Sequence, residues 1–421
     1  MNIGIVGSGI AGLHLALLLQ QRGVATTLYT ELSAAAQRAG KLLNNVCRFW
    51  STRERERELG VDHWAFPDFG VFNVDMHVAS EPAIAFRGDL VHMGSFVDFR
   101  LYLPRLLDDY EARGGRVVVQ TCGGAEVADA SRDHDLMVVA SGRGAMAELF
   151  PRDVQRSPFA LPQRHLLVGL FHGVAMPAPL GFSFTLVPGV GEIFQSPTYS
   201  FAGPIAAVSI EATPTGPWAS RVRAPYDGDL SQCAAVVLDL LREYAPAVYE
   251  RVDPAAFRLA GSRDLLQGSV TPTVRRPWAS LGNGKFAIAL GDASVLNDPV
   301  TGQGANLASL CAWTLGEAIL EEFVFDERFC RWWDDRSWEI SRDVTEWTNA
   351  FLGAPPPHVL NLLCAAMQEK AVADAFVNNF NTPRRMWRSM ATPERTAAFL
   401  REIRAQPPAA RPLEDAAPTI L

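Results

Sequence analysis

The chain contains no run of Lys or Arg, no cysteine pair at C-x-x-C spacing and no apolar stretch of the ~18 residues that a membrane span needs. Each absence closes off a class of protein. With 38 basic against 46 acidic residues and a formal charge of -8, it lacks the electrostatic footprint of a protein that binds nucleic acid or an anionic membrane. The six cysteines (Cys47, Cys122, Cys233, Cys311, Cys330, Cys364) are scattered, which suggests neither a disulfide framework nor a zinc site and reads as thiols in a reducing compartment. The eight histidines form no metal-spaced pair, so no metal ligands are assigned. Met1 leads straight into a strand pattern without a basic leader or small-residue cleavage site, and the expected location is the cytoplasm. What these exclusions leave is a small-molecule partner.

A length of 421 residues suits about two to three domains, and 48% hydrophobic with 20% charged residues is ordinary for a chain with a sizeable core. The first motif is "GIVGSGIAGLHLALLLQQRG", beginning at Gly4. Ile3, Ile5 and Val6 read as a buried strand, Gly7, Gly9 and Gly12 as G-x-G-x-x-G, and Leu13 to Leu19 as an apolar helix ending at Arg22-Gly23. In that context Gly7 permits the tight turn, Gly9 lets a pyrophosphate approach, and Gly12 lets helix and strand pack closely. The helix start then offers the N–H groups of Ile10, Ala11 and Gly12 to the phosphates. The next strand, "ATTLYT", ends at Thr30-Glu31, and either residue could meet ribose hydroxyls.

A second turn lies almost the whole chain away. "KFAIALGDAS" has a strand pattern ending at Gly291-Asp292, followed by Pro299, Gly302 and Gly304 and by the helical run that begins with Ala305 and Asn306. An acid at a strand end suits a sugar hydroxyl, and a helix start suits an anion or an electron-rich ring edge. A flavin dinucleotide presents both.

Taken together, Gly7 to Gly12, Gly291-Asp292 and "DPVTGQGAN" at Asp298 to Asn306 resemble the fingerprints of FAD-dependent aromatic monooxygenases of the p-hydroxybenzoate hydroxylase fold. Within that group the chain resembles the oxygenase components of styrene and indole monooxygenases. The further stretches "KLLNNV" at Lys41, "VDFRLYLPRLL" at Val97, "EARGG" at Glu111 and "FNTPRRMW" at Phe380 spread the likeness over nearly the full length. The resemblance implies a two-component system. A separate NADH-dependent flavin reductase delivers reduced FAD, and with O2 a C4a-(hydro)peroxyflavin forms that epoxidises a small aromatic alkene, styrene or indole. It implies no nucleic-acid or membrane partner and is compatible with a homodimer.

The same resemblance assigns site residues. Asn44 is the catalytic candidate beside the flavin ring, with Leu43, Val46, Arg48, His77, Gly94, Phe96 and Pro299 around the substrate. Lys41 lies near the isoalloxazine and Arg100 donates to the pyrophosphate. Ser141 and Gly142 pass under the adenosine, and Asp292, Gly302, Gly304, Ala305 and Asn306 take the ribityl chain and ring. From spacing alone Asn44 reads first as a turn residue, a preference that only the resemblance reverses, and Arg100 reads also as a residue on a solvated helix face. Asn44 and Val46 suit a styrene-type pocket, although Arg48 stands where a histidine would be expected, and activity on both alkenes fits.

The expected fold is α/β (α+β): a Rossmann-like FAD-binding domain of the glutathione-reductase/p-hydroxybenzoate hydroxylase type, with an inserted β-sheet substrate domain and a C-terminal helical region. Its parts fall at 1–155 (FAD-binding, first part), 156–268 (substrate, mainly β), 269–320 (FAD-binding, second part), 321–403 (helical) and 404–421 (a Pro/Ala-rich mobile tail). Trp333 and Trp347 recur with Phe351 at near-helical spacing and are expected in the core. A single-component NAD(P)H hydroxylase, a halogenase and a non-enzymatic binding scaffold share the fold. No W-x-W-x-I-P pattern of halogenases is present, and a scaffold has no need of both intact glycine turns.

Overall fold

The computed structural model describes residues 1–421 except 65–69, 143–145, 147–148, 227 and 407–421. The opening strand Asn2–Val6 lies inside a six-stranded sheet ordered Trp278–Ser280, Phe286–Ala289, Leu136–Val139, Asn2–Val6, Ala25–Thr30, Arg116–Val119. Ala25–Thr30 and Leu136–Val139 flank it in parallel, and the edge strand Trp278–Ser280 runs antiparallel to its neighbour. Near-continuous apolar runs such as "LMVV" are what a parallel sheet covered on both faces demands.

The first helix, Ile10–Gln21, is apolar all round and buried from Ile10 to Leu19, because it is wrapped by the sheet and by the helices Phe99–Ala112 and Gly304–Glu321. Each fully buried leucine here contributes about 1.5–3 kcal/mol. Contact with Gly304–Glu321 is close: a methyl group at Gly316 would lie 2.5 Å from Leu18 Cδ2. The second glycine turn is therefore carried to the first by packed helices.

The second sheet has eight strands, ordered Arg258–Leu259, His165–His172, Gly203–Ala212, Gly191–Ser200, Gly181–Val187, Gly70–Val78, Ile84–Ser95, with Leu265–Gly268 also pairing to His165–His172. Its pairings are antiparallel apart from Gly70–Val78 with Gly181–Val187. Residues 70–95, expected within the first FAD-binding part, thus join this sheet instead. Backbone pairing of Val74 with Phe182 and Met76 with Phe184 decides their place, and their alternating pattern could not name the partner. Helix Lys370–Asn378 lies against Ile84–Ser95 so closely that a Cβ on Gly88 would lie 2.5 Å from the Ala373 carbonyl oxygen.

Beyond Glu321 the described chain is helical, with Glu327–Phe351, Pro357–Gln368, Lys370–Asn378, Pro383–Met390 and Pro393–Ala405. Trp333 and Trp347 are buried in it, as their spacing predicts. The tail expected from 404 begins inside the last helix, and its residues 407–421 lie outside the described ones.

Gly12 shows how tight the first turn is. A Cβ there would overlap the carbonyl oxygen of Gly7. Helix propensity alone would reward Gly12→Ala by up to about 1 kcal/mol, but the clash is against backbone that cannot rotate away. The expected outcome is a net loss of about 1–3 kcal/mol, read as a lower urea midpoint at unchanged slope.

Candidate functional site

The two glycine turns meet. Gly7 has φ +111, open to glycine and strained for other residues, and a Cβ on it would lie 2.9 Å from the carbonyl carbon of Ala140. One on Gly142 would lie 2.6 Å from that of Asp292, and one on Gly291 would lie 3.1 Å from Ala11 Cβ. The first turn, the Ser141-Gly142 segment and the Gly291-Asp292 turn therefore touch, backbone to backbone at Gly7 and Gly142 and against the Ala11 methyl at Gly291. Around Gly9, by contrast, nothing lies within 4 Å of where a Cβ would be, and the same holds at Gly302 and Gly304.

Both helices that leave these turns start without a side-chain cap and without an acid in the first turn. The first-turn N–H groups after Gly9 and after Gln303 thus have no capping side chain, at the positive ends of two helices, beside open space. This is the electrostatics of a site for an anion or an electron-rich edge. Thr30 Oγ1 is tied to Ser8 Oγ at 2.7 Å and donates to the Leu32 carbonyl, and Glu31 is exposed at the same strand end. Ser141 and Gly142 are half-buried, and Asp292 is exposed beside them.

The segment Lys41 to Arg48 hangs between the two sheets. Leu42 N–H donates to the Arg263 carbonyl at 2.8 Å. Asn45 Nδ2 donates to Ser196 Oγ at 3.0 Å, and Asn45 Oδ1 accepts from Thr198 Oγ1 at 3.0 Å. Arg48 and Ser95 exchange backbone hydrogen bonds of 2.9 and 3.1 Å. Val46 is buried with Val97, whereas Lys41, Leu43 and Asn44 are exposed. Asn44 Oδ1 accepts from the N–H of Asn45 at 2.8 Å, a local turn bond. The cross-links of Asn45 escaped sequence reasoning, because only the fold brings Ser196 and Thr198 beside it.

Phe96 is buried against Phe182, and Gly94 admits Cys47 Sγ so closely that a Cβ would overlap it. His77 lies on strand Gly70–Val78, with burial lowering its pKa. Pro299 is half-buried and opens a short turn, Pro299–Thr301, capped by Asp298, ahead of helix Gly304–Glu321.

Three expected ligand residues are corrected. Arg100 does not reach toward the first turn. Its guanidinium is buried, doubly bonded to Asp98, bonded to Asp264 at 2.6 Å and to the Arg263 carbonyl at 2.9 Å. Arg48 is not a pocket wall: it and Glu56 form an ion pair with both side chains 0% exposed, and its guanidinium stacks 4.4 Å from the Tyr102 ring centroid. The Asn306 side chain is fully engaged by protein, accepting from Phe49 N–H at 3.0 Å and Thr52 Oγ1 at 2.8 Å and donating to the carbonyls of Cys47 at 2.8 Å and Gly302 at 3.2 Å. It clamps the Cys47 to Thr52 segment to the second glycine turn.

Arg48 belongs to a longer network. Tyr102 donates to Glu56 Oε1 at 2.8 Å and sits 2.9 Å from His14 Nε2, so that nitrogen carries the hydrogen. Arg55 donates to Ser309 Oγ, leaving the serine hydroxyl to donate to His14 Nδ1 at 2.9 Å. Burial first, and then the Arg55 and Arg48 charges, push the His14 pKa down to about 3, which agrees with a neutral ring. No group of three or more His, Cys, Asp or Glu among the described residues is placed to hold a metal. No helix among them is long and apolar enough to cross a membrane.

The family model described as "Styrene monooxygenase A putative substrate binding domain" matches residues 142–251. Styrene monooxygenase StyA of Pseudomonas fluorescens is 40% identical over 398 residues, 94% of this chain and 96% of that one. StyA of a Pseudomonas species is 39% identical over the same shares. In fold, the chain is similar to the flavin-dependent brominase Bmp2 (TM-score 0.67, 12% identity, 96% and 100% of the two chains) and to a flavoprotein/dehydrogenase from Cytophaga hutchinsonii (TM-score 0.66, 12% identity, 96% and 100%). PqsL of Pseudomonas aeruginosa has TM-score 0.59 at 16% identity, over 89% and 99%.

Removing the acid of the Arg48 pair strands a buried cation. Glu56→Gln is expected to lower the unfolding free energy by about 3–5 kcal/mol, measured by denaturant titration. Gly9→Ala makes the contrasting case: open space at Gly9 predicts little change in the stability of the ligand-free protein and weaker binding of a dinucleotide, checked by melting with and without ligand.

Proposed function

The chain belongs to the styrene monooxygenase family, and on that footing we propose that it is the oxygenase component of a two-component flavin monooxygenase that epoxidises a small aromatic alkene. The observation that carries this reading is the junction of two uncapped helix starts where the chains meet closely, Gly291 against the Ala11 methyl and Gly142 against the Asp292 backbone. That arrangement suits FAD held at both ends. Gly7, Gly9, Ile10, Ala11 and Gly12 would hold its pyrophosphate, Thr30 and Glu31 its adenosine ribose, and Ser141-Gly142 its adenosine. Asp292 would take the ribityl hydroxyls, and Gly302, Gly304 and Ala305 would sit toward the ring, with Lys41 near it.

Bound and delivered reduced, FAD supplies the activation of O2 and the transfer of one oxygen atom to the alkene, the other leaving as water. The chain's own part is to shape and dry the pocket. Leu43, Val46, Phe96 and Pro299 offer apolar wall, Gly94 leaves room for it, and His77 borders it. Asn44 supplies a side-chain amide beside the reacting atoms, fixed on one side by its bond from Asn45. An unactivated alkene needs no deprotonation, so the site needs no titrating base. Styrene is the favoured substrate class with indole accepted, the reductase is NADH-dependent, and the location is the cytoplasm.

The test supplies reduced FAD from any flavin reductase with NADH, offers styrene and indole, and measures styrene oxide and indigo. The expected result is epoxide from styrene; no product from either alkene sinks the reading. NADPH and O2 without a reductase should give none, and turnover under those conditions would point to a single-component hydroxylase.

A further inference from the structure

Behind the Asp298-Pro299 turn lies a set of buried acids that epoxidation does not use. Glu192 and Glu211 are directly opposite each other on neighbouring strands, which places both side chains on one face of the second sheet. They are 0% and 4% exposed, and Asp298 is 2% exposed. Arg164 is the cation among them, and it is committed to Glu192 through two bonds of 2.7 and 2.8 Å. Asp298 Oδ1 accepts from Val300 N–H at 3.2 Å and so caps the turn. Asp298 Oδ2 and Glu211 Oε2 are buried without a hydrogen-bond partner.

Three carboxylates against one arginine leave two negative charges unbalanced, and an unpaired buried carboxylate costs several kcal/mol unless it takes up a proton. A metal is not the answer, because these acids are not placed to hold one. Burial, and for Glu211 the neighbouring Asp298 and Glu192 charges, push both acids up, Asp298 to about 7 and Glu211 well above the usual carboxylate range. Helix Glu327–Phe351 covers the turn through Thr348, whose hydroxyl is 2.7 Å from that of Thr301. Thr345 Oγ1 and Asn349 Oδ1, near Thr348 on that helix, are also buried and unpartnered, as are both amide atoms of Asn297. The charges acting on the pair are Arg164 and Glu192, and the covering helix adds hydroxyl and amide groups.

We propose that Glu211 and Asp298 are protonated together, and that the proton of Asp298 keeps the turn from Asp298 to Gly304 seated, with Asp298 as a positioning residue for the bound flavin. The second half rests on the flavin reading above. Once the proton is lost, a further negative charge enters a pocket whose one cation is already paired, and the repulsion acts on the carboxylate that caps the turn. The direction follows from linkage: an acid whose folded pKa is raised contributes stability that is full below its unfolded value and is lost as pH rises through about 7.

Two measurements on the full chain test this. In the flavin-free protein, infrared difference spectra between about pH 6 and about pH 9 should show a carboxylic-acid carbonyl band that loses intensity at the higher pH, as Asp298 gives up its proton, and is missing from the Glu211→Gln, Asp298→Asn double variant. No such band, or the same band in the variant, overturns the protonated pair whether or not flavin binds. The FAD dissociation constant of the wild type, from fluorescence titration, should weaken about tenfold over the same range, equivalent to one unit of linked pKa shift, and stay flat in the variant. A flat wild type that binds FAD and shows the band overturns the positioning role alone. Absence of FAD binding at any pH sinks the flavin reading and, with it, the positioning role, while the band still decides whether the pair is protonated. Should the double variant not fold, the isosteric Glu211→Gln alone serves, with the band's midpoint and the affinity slope moving to lower pH.

Discussion

Backbone touching backbone is the constraint on which the site depends. Two helix starts can face one elongated ligand only if nothing stands between the chains that carry them, and at four positions here a single methyl group would intrude. Gly12 packs on the Gly7 carbonyl, Gly7 on Ala140, Gly142 on Asp292 and Gly291 on Ala11. Three of these contacts are with main-chain atoms and the fourth meets the methyl carbon of Ala11, so none can be relieved by rotamer changes. The all-buried helix Ile10–Gln21 and its packing on Gly304–Glu321 hold the four contacts in register.

A second constraint is electrostatic. Three buried arginine pairs tie the sheets and loops together: Arg48 to Glu56, Arg100 to Asp98 and Asp264, and Arg164 to Glu192. Apolar replacements of matching shape could be as stable, so burial of these charges is no argument for stability in itself. Their effect is on geometry, since a slipped docking would leave one of the charges buried and alone. Asn306 acts in the same way without charge, joining the Cys47 to Thr52 segment to the second turn through all four of its hydrogen-bonding positions. The Cys47 to Thr52 segment and the second glycine turn are thereby held together.

Much of this was legible in sequence where the signal was local. Strand, glycine turn and apolar helix occupy about twenty consecutive residues, and the second turn repeats the pattern, so both could be read without knowing the fold. Arg100, Arg48 and Asn306 were misread for one shared reason: a side chain's type and neighbours say what it can bond, and its partner is decided elsewhere. Asn306 meets Phe49 across 257 residues of sequence, and His14 meets Ser309 across 295. Residues 70–95 moved to the second sheet because alternation of apolar and polar residues marks a strand and leaves its neighbour open.

By itself the sequence determined the two glycine turns, the apolar helix that follows each of them, the absence of metal-ligand spacing and the chemistry class that such turns serve. These are properties of short stretches, where steric limits on φ and the periodicity of burial act within one element. Only the tertiary structure decided that the turns touch, that Asn45 ties the Lys41 to Arg48 segment to the second sheet, and that Asp298 and Glu211 are both buried. Those facts depend on which distant backbones share a face, and a proton is held or lost according to the charges that folding brings around it.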